Sequence, residues 1–469
     1  MNILILGGTG FIGRPTIAKL QGRGDQVHCL VRDLDKARGL LGEGIVLLDL
    51  DLPLGELRKE IEFADVIINL AGEPLAGVRW NKGKKKRFHQ SRIGLNELIT
   101  ENIAYCDNPP DLFISASAVG IYGDRGDELL TEDSLLDTGD ISKLCIDWEN
   151  SAIKAKEYGV RVCTLRFGII LGREGGVLKQ VMPSFELGIG SYVGDSEQSI
   201  PWIHILDVIR AIEFCIDTNI EGNINVVAPE ASTSKKFANI LGDITNTKII
   251  LHIPFAILRL IFASGAKILT NSLNVVPEKL LENNFKFQYK SLREALIEEV
   301  DSQSVQVSRT SRVIDHLSNQ GQYELSTTVE LNSSAEETFN FFASPLNLGL
   351  TTPAWLGFKI IEMPDTLNKG SKILYKIKLG PIYIKWCTLI AEWEPSHLFV
   401  DFQFQGPYSL WWHEHRVKTL SKNSSIIEDN VTYKVPFGIF GRIAHYFFIR
   451  KTLNRIFNYR RFIMKLRFG

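Results

Sequence analysis

Cysteine is sparse and scattered: Cys29, Cys106, Cys145, Cys163, Cys215 and Cys387 include no C-x-x-C pair. That argues against a disulfide scaffold and a zinc knuckle, and reduced thiols in a cytoplasmic protein are the expectation. Long uncharged apolar runs are missing too. The longest, Ile249 to Leu269, carries His252, Pro254, Arg259 and Lys267. A membrane span needs about 18 or more residues with few or no charges, so this stretch is expected to be a packed amphipathic helix. The opening residues, Met1 to Leu6, have no basic stretch and reach Gly7 too soon for a signal peptide. No excess of charge stands out either, since 53 Lys+Arg face 54 Asp+Glu for a net charge of −1. From Tyr323 onward there are 18 Lys+Arg against 12 Asp+Glu, and before it 35 against 42. Neither part is basic enough to make nucleic acid the expected partner. No internal repeat is visible.

What is present is the composition of a folded chain: 469 residues, 45% hydrophobic and 23% charged, with 38 Gly and 17 Pro. That length exceeds what one core usually organises, so at least two domains are expected. Residues 301–322 (DSQSVQVSRTSRVIDHLSNQGQ) are rich in Ser and Gln and poor in large apolar side chains, which predicts a linker. It separates a domain over 1–300, whose small C-terminal segment covers about 235–300, from a domain over 323–469. In the first, the apolar runs at 2–6, 27–31, 66–70, 112–115 and 162–167 alternate with helix-length segments. The expected fold is α/β, a doubly wound parallel Rossmann sheet. After the linker the period becomes two. Ile373, Tyr375, Ile377 and Leu379 alternate up to Gly380-Pro381, and Val400, Phe402 and Phe404 alternate with Asp401, Gln403 and Gln405. Half-buried antiparallel strands are expected there, closed by a long helix over about 438–466, giving an α+β domain.

Gly7-Gly8-Thr9-Gly10-Phe11-Ile12-Gly13 follows the first apolar strand and opens a helix. Gly7 permits the tight turn, Gly10 lets backbone approach a pyrophosphate, and Gly13 lets the helix pack closely. The phosphates would sit at the helix N-terminus. The second strand ends in Arg32-Asp33. An Arg at this edge accommodates a 2′-phosphate and points to NADP, while the neighbouring acidic residue leaves NAD open.

GGTGFIG, Asn69-Leu70-Ala71-Gly72 and the stretch Ser115 to Gly123 (SASAVGIYG) together resemble the extended short-chain dehydrogenase/reductases. Arg79-Trp80, Ser91-Arg92, Trp148-Glu149 and Pro201-Trp202-Ile203-His204 are similar to the atypical sugar-nucleotide epimerase-like branch. The resemblance covers residues 1 to about 298 and implies an oxidoreductase or epimerase acting on a small substrate. It implies that Gly7, Gly10, Phe11, Ile12 and Gly13 form the pyrophosphate turn and that Arg32 meets the 2′-phosphate. Asn69, Ala71 and Gly72 would border the adenosine and ribose, and Ser117 matches the catalytic serine. His204 and Trp202 would border the substrate, and Asp207 is expected to cap the helix after them. The family's Tyr-x-x-x-Lys pair is missing: counted back from Glu149 it falls on Ile141 and Cys145. Tyr122, Cys145 and a water held by Ser117 are then the candidate proton donors, Tyr122 first. That loss also supports a rival expectation, a non-catalytic NADP(H)-binding sensor.

Residues 323–469 resemble the START-like, polyketide cyclase/dehydrase helix-grip domains. Tyr323–Leu331, Ser334 to Phe339, Trp411-Trp412-His413-Glu414-His415 and Val435 to Gly438 carry the resemblance. It implies a cavity for an apolar ligand lined by Trp side chains. His413-x-His415 would form half a metal site, but no third ligand is evident, so no metal is expected. Arg442 to Gly469 holds eight Lys+Arg and no acidic residue. Its apolar stripe is needed inside the grip, so it is read as a core helix and not as a membrane-lying one.

Overall fold

The computed structural model describes residues 1–301, 303–314, 317–380 and 382–469. Two units make up the chain: Met1–Thr16, Asp25–Arg32 and Val46–Asp301 form one, and Ile17–Gly24, Asp33–Ile45 and Ser302–Gly469 the other.

The first unit is organised by seven strands, β1 (Asn2–Leu6), β2 (Gln26–Val31), β3 (Ile45–Asp49), β4 (Val66–Asn69), β5 (Leu112–Ala118), β6 (Arg161–Phe167) and β7 (Gly222–Val226). Their order in the sheet is β7-β6-β5-β4-β1-β2-β3. β1 pairs parallel with β2 and β4, and β4–β5, β5–β6 and β6–β7 are parallel too. Strands β1, β4 and β5 are buried almost throughout, because crossover helices cover both faces of such a sheet. The strand order reverses between β1 and β4, so the carboxyl ends of these two strands flank a topological switch point, where doubly wound sheets bind ligands. β3 and β7 escape the sequence pattern. β7 mixes Asn223 and Asn225 with its apolar residues, and β3 is only partly buried.

The stretch from Ile249 to Leu269 is not one packed helix. Pro254, which has no N–H to give, separates a strand (Ile249–Ile253) from a short helix (Phe255–Phe262), and Ile257, Leu260 and Ile261 are exposed. No helix among the described residues is long and apolar enough to cross a membrane.

The second unit contains an eight-stranded sheet of β8 (Val305–Arg309), β9 (Tyr323–Leu331), β10 (Lys359–Glu362), β11 (Lys372–Leu379), β12 (Ile382–Glu394), β13 (Leu398–Gln405), β14 (Leu410–Ser421) and β15 (Ser424–Lys434). The order is β8-β9-β15-β14-β13-β12-β11-β10, and the pairs are antiparallel. β8 lies inside the segment read as a linker. Val305 and Val307 face the core there, and hydrogen bonding to β9 orders polar neighbours that composition alone marks as loop. Of the linker residues, Ser302, Asp315 and His316 lie outside the described set, as does Pro381 of the expected strand end. The chain closes with a helix over Gly438–Ala444, a π-helical turn at His445–Ile449 and a helix over Arg450–Phe468. Leu453 and Phe457 of the last helix share a core with Leu325, Trp411 and Tyr433.

On β13 the buried face differs from the expected one. Val400 packs with Ile314, Leu398 and Trp412 on one side of the sheet, while Phe399 packs with Phe339 and Met464 on the other. Phe404, near the end of the strand, is exposed, and Asp401 turns inward to line a cavity.

Candidate functional site

The turn after β1 is built for close approach. Gly7 has φ +79°, and a Cβ there would lie 2.6 Å from the Ala71 nitrogen. A Cβ on Gly13 would lie 2.3 Å from the Gly7 carbonyl oxygen, and one on Gly10 3.0 Å from the same atom. The Gly10 N–H donates to the Gly7 carbonyl at 2.9 Å. Any side chain at Gly7 or Gly13 would therefore push the strand, the turn and the helix Gly13–Gly22 apart. Phe11 has a different job: a Cβ on Gly175 would come within 2.3 Å of its ring, so Phe11 locks this turn to the loop after Leu171. Ile12 accepts at its carbonyl from Thr16 Oγ1 at 2.9 Å, within the helix it begins.

At the end of β2 the two neighbouring candidates separate. Asp33 caps the helix Leu34–Leu41, its carboxylate accepting from the Lys36 N–H at 2.9 Å. Arg32 is exposed.

At the end of β4, Asn69 is fully buried. Its Oδ1 accepts from the Ala71 N–H at 3.0 Å and its Nδ2 donates to Asn96 Oδ1 at 2.7 Å. Asn96 in turn donates to Ser115 Oγ at 3.0 Å and Ser151 Oγ at 3.1 Å. Asn69 thus shapes the Leu70–Gly72 turn from beneath. Over Gly72 lies the buried Arg92, whose guanidinium carbon would be 3.0 Å from a Cβ on Gly72 and is 4.9 Å from the Trp148 ring centre. Its Nη2 donates to the Glu73 carbonyl at 2.7 Å, and burial lowers its pKa to about 10. Arg92 sits in a π-helical turn, Gln90–Gly94, which aims it back at the switch point.

Ser117 stands at the end of β5, buried, with its hydroxyl donating to Glu149 Oε1 at 2.7 Å. Arg166 clamps that carboxylate with both arms, Nε to Oε1 at 2.8 Å and Nη2 to Oε2 at 2.9 Å. Its remaining nitrogen donates to the Tyr122 hydroxyl at 2.8 Å and the Glu132 carbonyl at 3.0 Å. The Tyr122 hydroxyl donates onward to Asn225 Oδ1 at 2.7 Å. Tyr122 is 0% exposed, and burial raises its pKa against the pull of Arg166. Cys145 is buried as well, and burial pushes its thiol up to about 12. The motif marked Ser117 and Glu149. Arg166 and Asn225 were missed, because a lone Arg and a lone Asn on separate strands carry no spacing signal.

His204, not Asp207, caps the helix Ile205–Asp217: its Nδ1 accepts from the Leu206 N–H at 3.1 Å. Its other ring nitrogen lies 3.0 Å from Glu299 Oε1, and its ring packs on Tyr289 with centres 4.0 Å apart. Asp207, inside the first turn, instead accepts from the Gln288 and Tyr289 N–H groups at 2.7 and 2.9 Å. Trp202 is buried and donates to the Glu230 carbonyl at 2.9 Å. His204 ties the loop 201–204 to the small C-terminal segment, and Trp202 ties it to Glu230 just before that segment.

A glycine turn at the switch point of this sheet defines a dinucleotide-binding α/β protein. Residues 3–228 match the family model for the NAD dependent epimerase/dehydratase family, and residues 253–299 match a domain of unknown function, DUF1731. Epimerase family protein SDR39U1 from Mus musculus is 32% identical over 301 residues, 63% of this chain and 98% of that protein. A chloroplastic homologue from Arabidopsis thaliana is 29% identical over 303 residues, 63% of this chain and 86% of that protein. The chain belongs to this epimerase family. The crystal structure of human SDR39U1 with NADPH superposes with a TM-score of 0.57 at 28% identity, covering 64% of this chain and all of that one.

Proposed function

We propose that the chain is an NADP(H)-dependent oxidoreductase or epimerase-like enzyme acting on a small substrate. The observation that carries this reading is the glycine cradle at the switch point, whose space a single Cβ would fill, with Ser117 at the end of β5. Those residues fit a dinucleotide. Gly7, Gly10 and Gly13 would admit the pyrophosphate, Ala71 and Gly72 would border the adenosine and ribose, and Arg32 would meet a 2′-phosphate. Because Asp33 is committed as a helix cap, NADP is favoured over NAD. NADPH bound in human SDR39U1 supports the same choice. When bound, the cofactor supplies hydride transfer. The Ser117 hydroxyl donates its hydrogen bond to Glu149 and keeps its proton, which leaves the Ser117 lone pairs to accept from a substrate hydroxyl. Arg166 fixes the direction of that bond. Tyr122, with its hydroxyl shared between Arg166 and Asn225, serves the frame of the site, and a water held by Ser117 is the better proton carrier.

Thermal shifts of the full chain with NADPH, NADP, NADH and NAD test the cofactor. Ligand at 100 times its Kd adds about 2.7 kcal/mol, a rise of a few degrees. Stabilisation only by the phosphorylated forms, lost in Arg32→Ser and abolished in Gly13→Val, supports the reading. No shift with any of the four overturns it. Ser117→Ala then separates enzyme from sensor: an enzyme loses roughly 10²-fold in NADPH-dependent turnover, whereas a sensor keeps its ligand coupling. The sensor reading rests on one observation, the Ile141 and Cys145 side chains where a proton-relaying pair is expected. For the second unit, an apolar ligand delivered to the first remains the proposed role of a START-like domain, tested by native mass spectrometry of the purified chain.

A further inference from the structure

We infer that Asp401, His413 and His415 form a binding site for a divalent first-row transition-metal ion in the second unit. On neighbouring strands β13 and β14, Asp401 stands opposite His413, and on β14 and β15, His415 stands opposite Asp429. Asp401 Oδ2 lies 3.2 Å from His413 Nδ1 and 3.0 Å from His415 Nε2, and the three ligand atoms all fall within 4.8 Å of one another. Ligands held tetrahedrally at about 2.1 Å from a metal are separated by roughly 3.4 Å, so the two separations from Asp401 need change by only a few tenths of an ångström, and that between the two imidazole nitrogens is at most 4.8 Å. Two imidazole nitrogens and one carboxylate oxygen form a donor set suited to zinc or iron(II).

The far side of each imidazole carries the second half of the pattern. His413 Nε2 lies 3.1 Å and His415 Nδ1 2.7 Å from Asp429 Oδ1, and Arg460 lies 3.4 Å from the same oxygen. A carboxylate on the second ring nitrogen is the usual partner of a metal-bound histidine, fixing its tautomer and orientation. Here Asp429 makes that hydrogen bond to His413, and it lies beside His415 Nδ1 without the geometry of one. Asp401, His415 and Arg460 also line a cavity of about 50 Å³ with Phe342, Tyr375 and Thr388, room for a few water molecules. That leaves an open coordination position, as in catalytic sites and unlike closed structural ones.

The full chain, stripped with chelator and dialysed, is titrated with Zn²⁺ and, separately, with Co²⁺, whose visible absorption reports geometry. One ion per chain by elemental analysis, a thermal shift and a low-symmetry Co²⁺ spectrum are expected. Asp429→Asn should weaken binding 10- to 100-fold while keeping stoichiometry, and His413→Gln or His415→Gln should abolish it. No stoichiometric binding by the folded wild-type chain overturns the inference. So does full binding in a folded His413→Gln or His415→Gln variant.

A separate observation carries a second proposal. We propose that the segment Phe437 to Lys451 rests on an anionic lipid surface. Phe437, Phe440 and Tyr446 are 81%, 76% and 71% exposed, and Phe447 and Phe448 are exposed beside them. Arg442, Arg450 and Lys451 are exposed too, and no acidic residue occurs from Gly438 to the end of the chain. Aromatic side chains flanked by cations match an apolar boundary beneath anionic headgroups. The apolar stripe after Lys451 is used inside the unit, at Leu453, Phe457 and Ile463. The aromatic run before it is not. Co-sedimentation with phosphatidylcholine vesicles, with and without phosphatidylserine, should show binding only with the anionic lipid, reduced about tenfold or more in Phe440→Ser/Phe447→Ser. Equal binding to both vesicles, no binding, or a dimer in solution that the double variant dissociates overturns it.

Discussion

Two polar clusters, one in each unit, have been assembled from different materials. In the first unit, Ser117, Glu149, Arg166, Tyr122 and Asn225 form a chain in which a guanidinium is the hub. Arg offers five donors in a fixed fork and keeps its charge. Burial pulls against that charge, but the two bonds to Glu149 hold Arg166 above its ordinary range. In the second unit, imidazoles are the hub, each set between two carboxylates. A guanidinium hub gives a rigid frame for one serine. An imidazole hub offers ring nitrogens that a metal can share. Buried polar side chains therefore serve positioning in one unit and ligation in the other.

The largest effect expected on this comparison comes from Glu149→Gln. Removing one partner of a buried, bidentate pair leaves Arg166 uncompensated and should cost about 3–5 kcal/mol. Chemical denaturation read at the first unit's transition measures it. A loss below about 1 kcal/mol would mean that Arg166 is solvated in solution and that the hub does not hold.

A smaller effect sharpens the division of labour within the first cluster. Tyr122→Phe removes a hydroxyl that accepts from Arg166 and donates to Asn225, leaving buried groups short of a partner. The expected cost is about 1–3 kcal/mol of stability, with NADPH-dependent turnover changed by less than about fivefold, well short of the 10²–10⁴ that a general acid or base contributes. A turnover loss of 10²-fold with unchanged stability would return Tyr122 to the role of proton donor.

What could be read from the sequence differs between the clusters for a physical reason. Gly7, Gly10 and Gly13 are legible because close approach leaves only one residue type, at a spacing set by one turn and one helix. Ser117 and Glu149 are legible through motif context. Arg166 and Asn225 come from separate strands, and only sheet register joins them. In the second unit His413-x-His415 shows as a pair on one strand face, yet the third ligand was out of sight. The alternation of Val400, Phe402 and Phe404 places Asp401 on the side that looks solvent-facing. An apolar layer over Val400 on the outer face of the sheet makes both sides of β13 interior, and period two then cannot tell them apart. The linker reading failed similarly, since β8 is a strand because β9 is beside it. His204 reads as a pocket residue from its motif, and its Nδ1 also caps a helix N-terminus while Nε2 lies 3.0 Å from Glu299 without forming a hydrogen bond.

The smallest effect separates the units by acid sensitivity, through a histidine remote from the ligand set. His445 lies in the π-helical turn, stacks on Tyr323 with ring centres 3.6 Å apart, and shares a hydrogen bond of 2.7 Å between Nε2 and the Tyr433 hydroxyl. Burial lowers its pKa from 6.5 to about 4, with nearby Arg450 adding to the shift. Between those values the unfolded chain takes up a proton that the folded chain refuses. Stability therefore falls as pH drops from 6.5 towards 4 and levels off below that. His445→Gln keeps a polar side chain and removes the titration, so the variant's melting temperature should fall by a few degrees less than the wild type's between pH 7 and pH 4.5, read at the second unit's transition. Parallel curves for the two proteins would show that His445 is hydrated in solution, and that acid acts on the second unit through other groups.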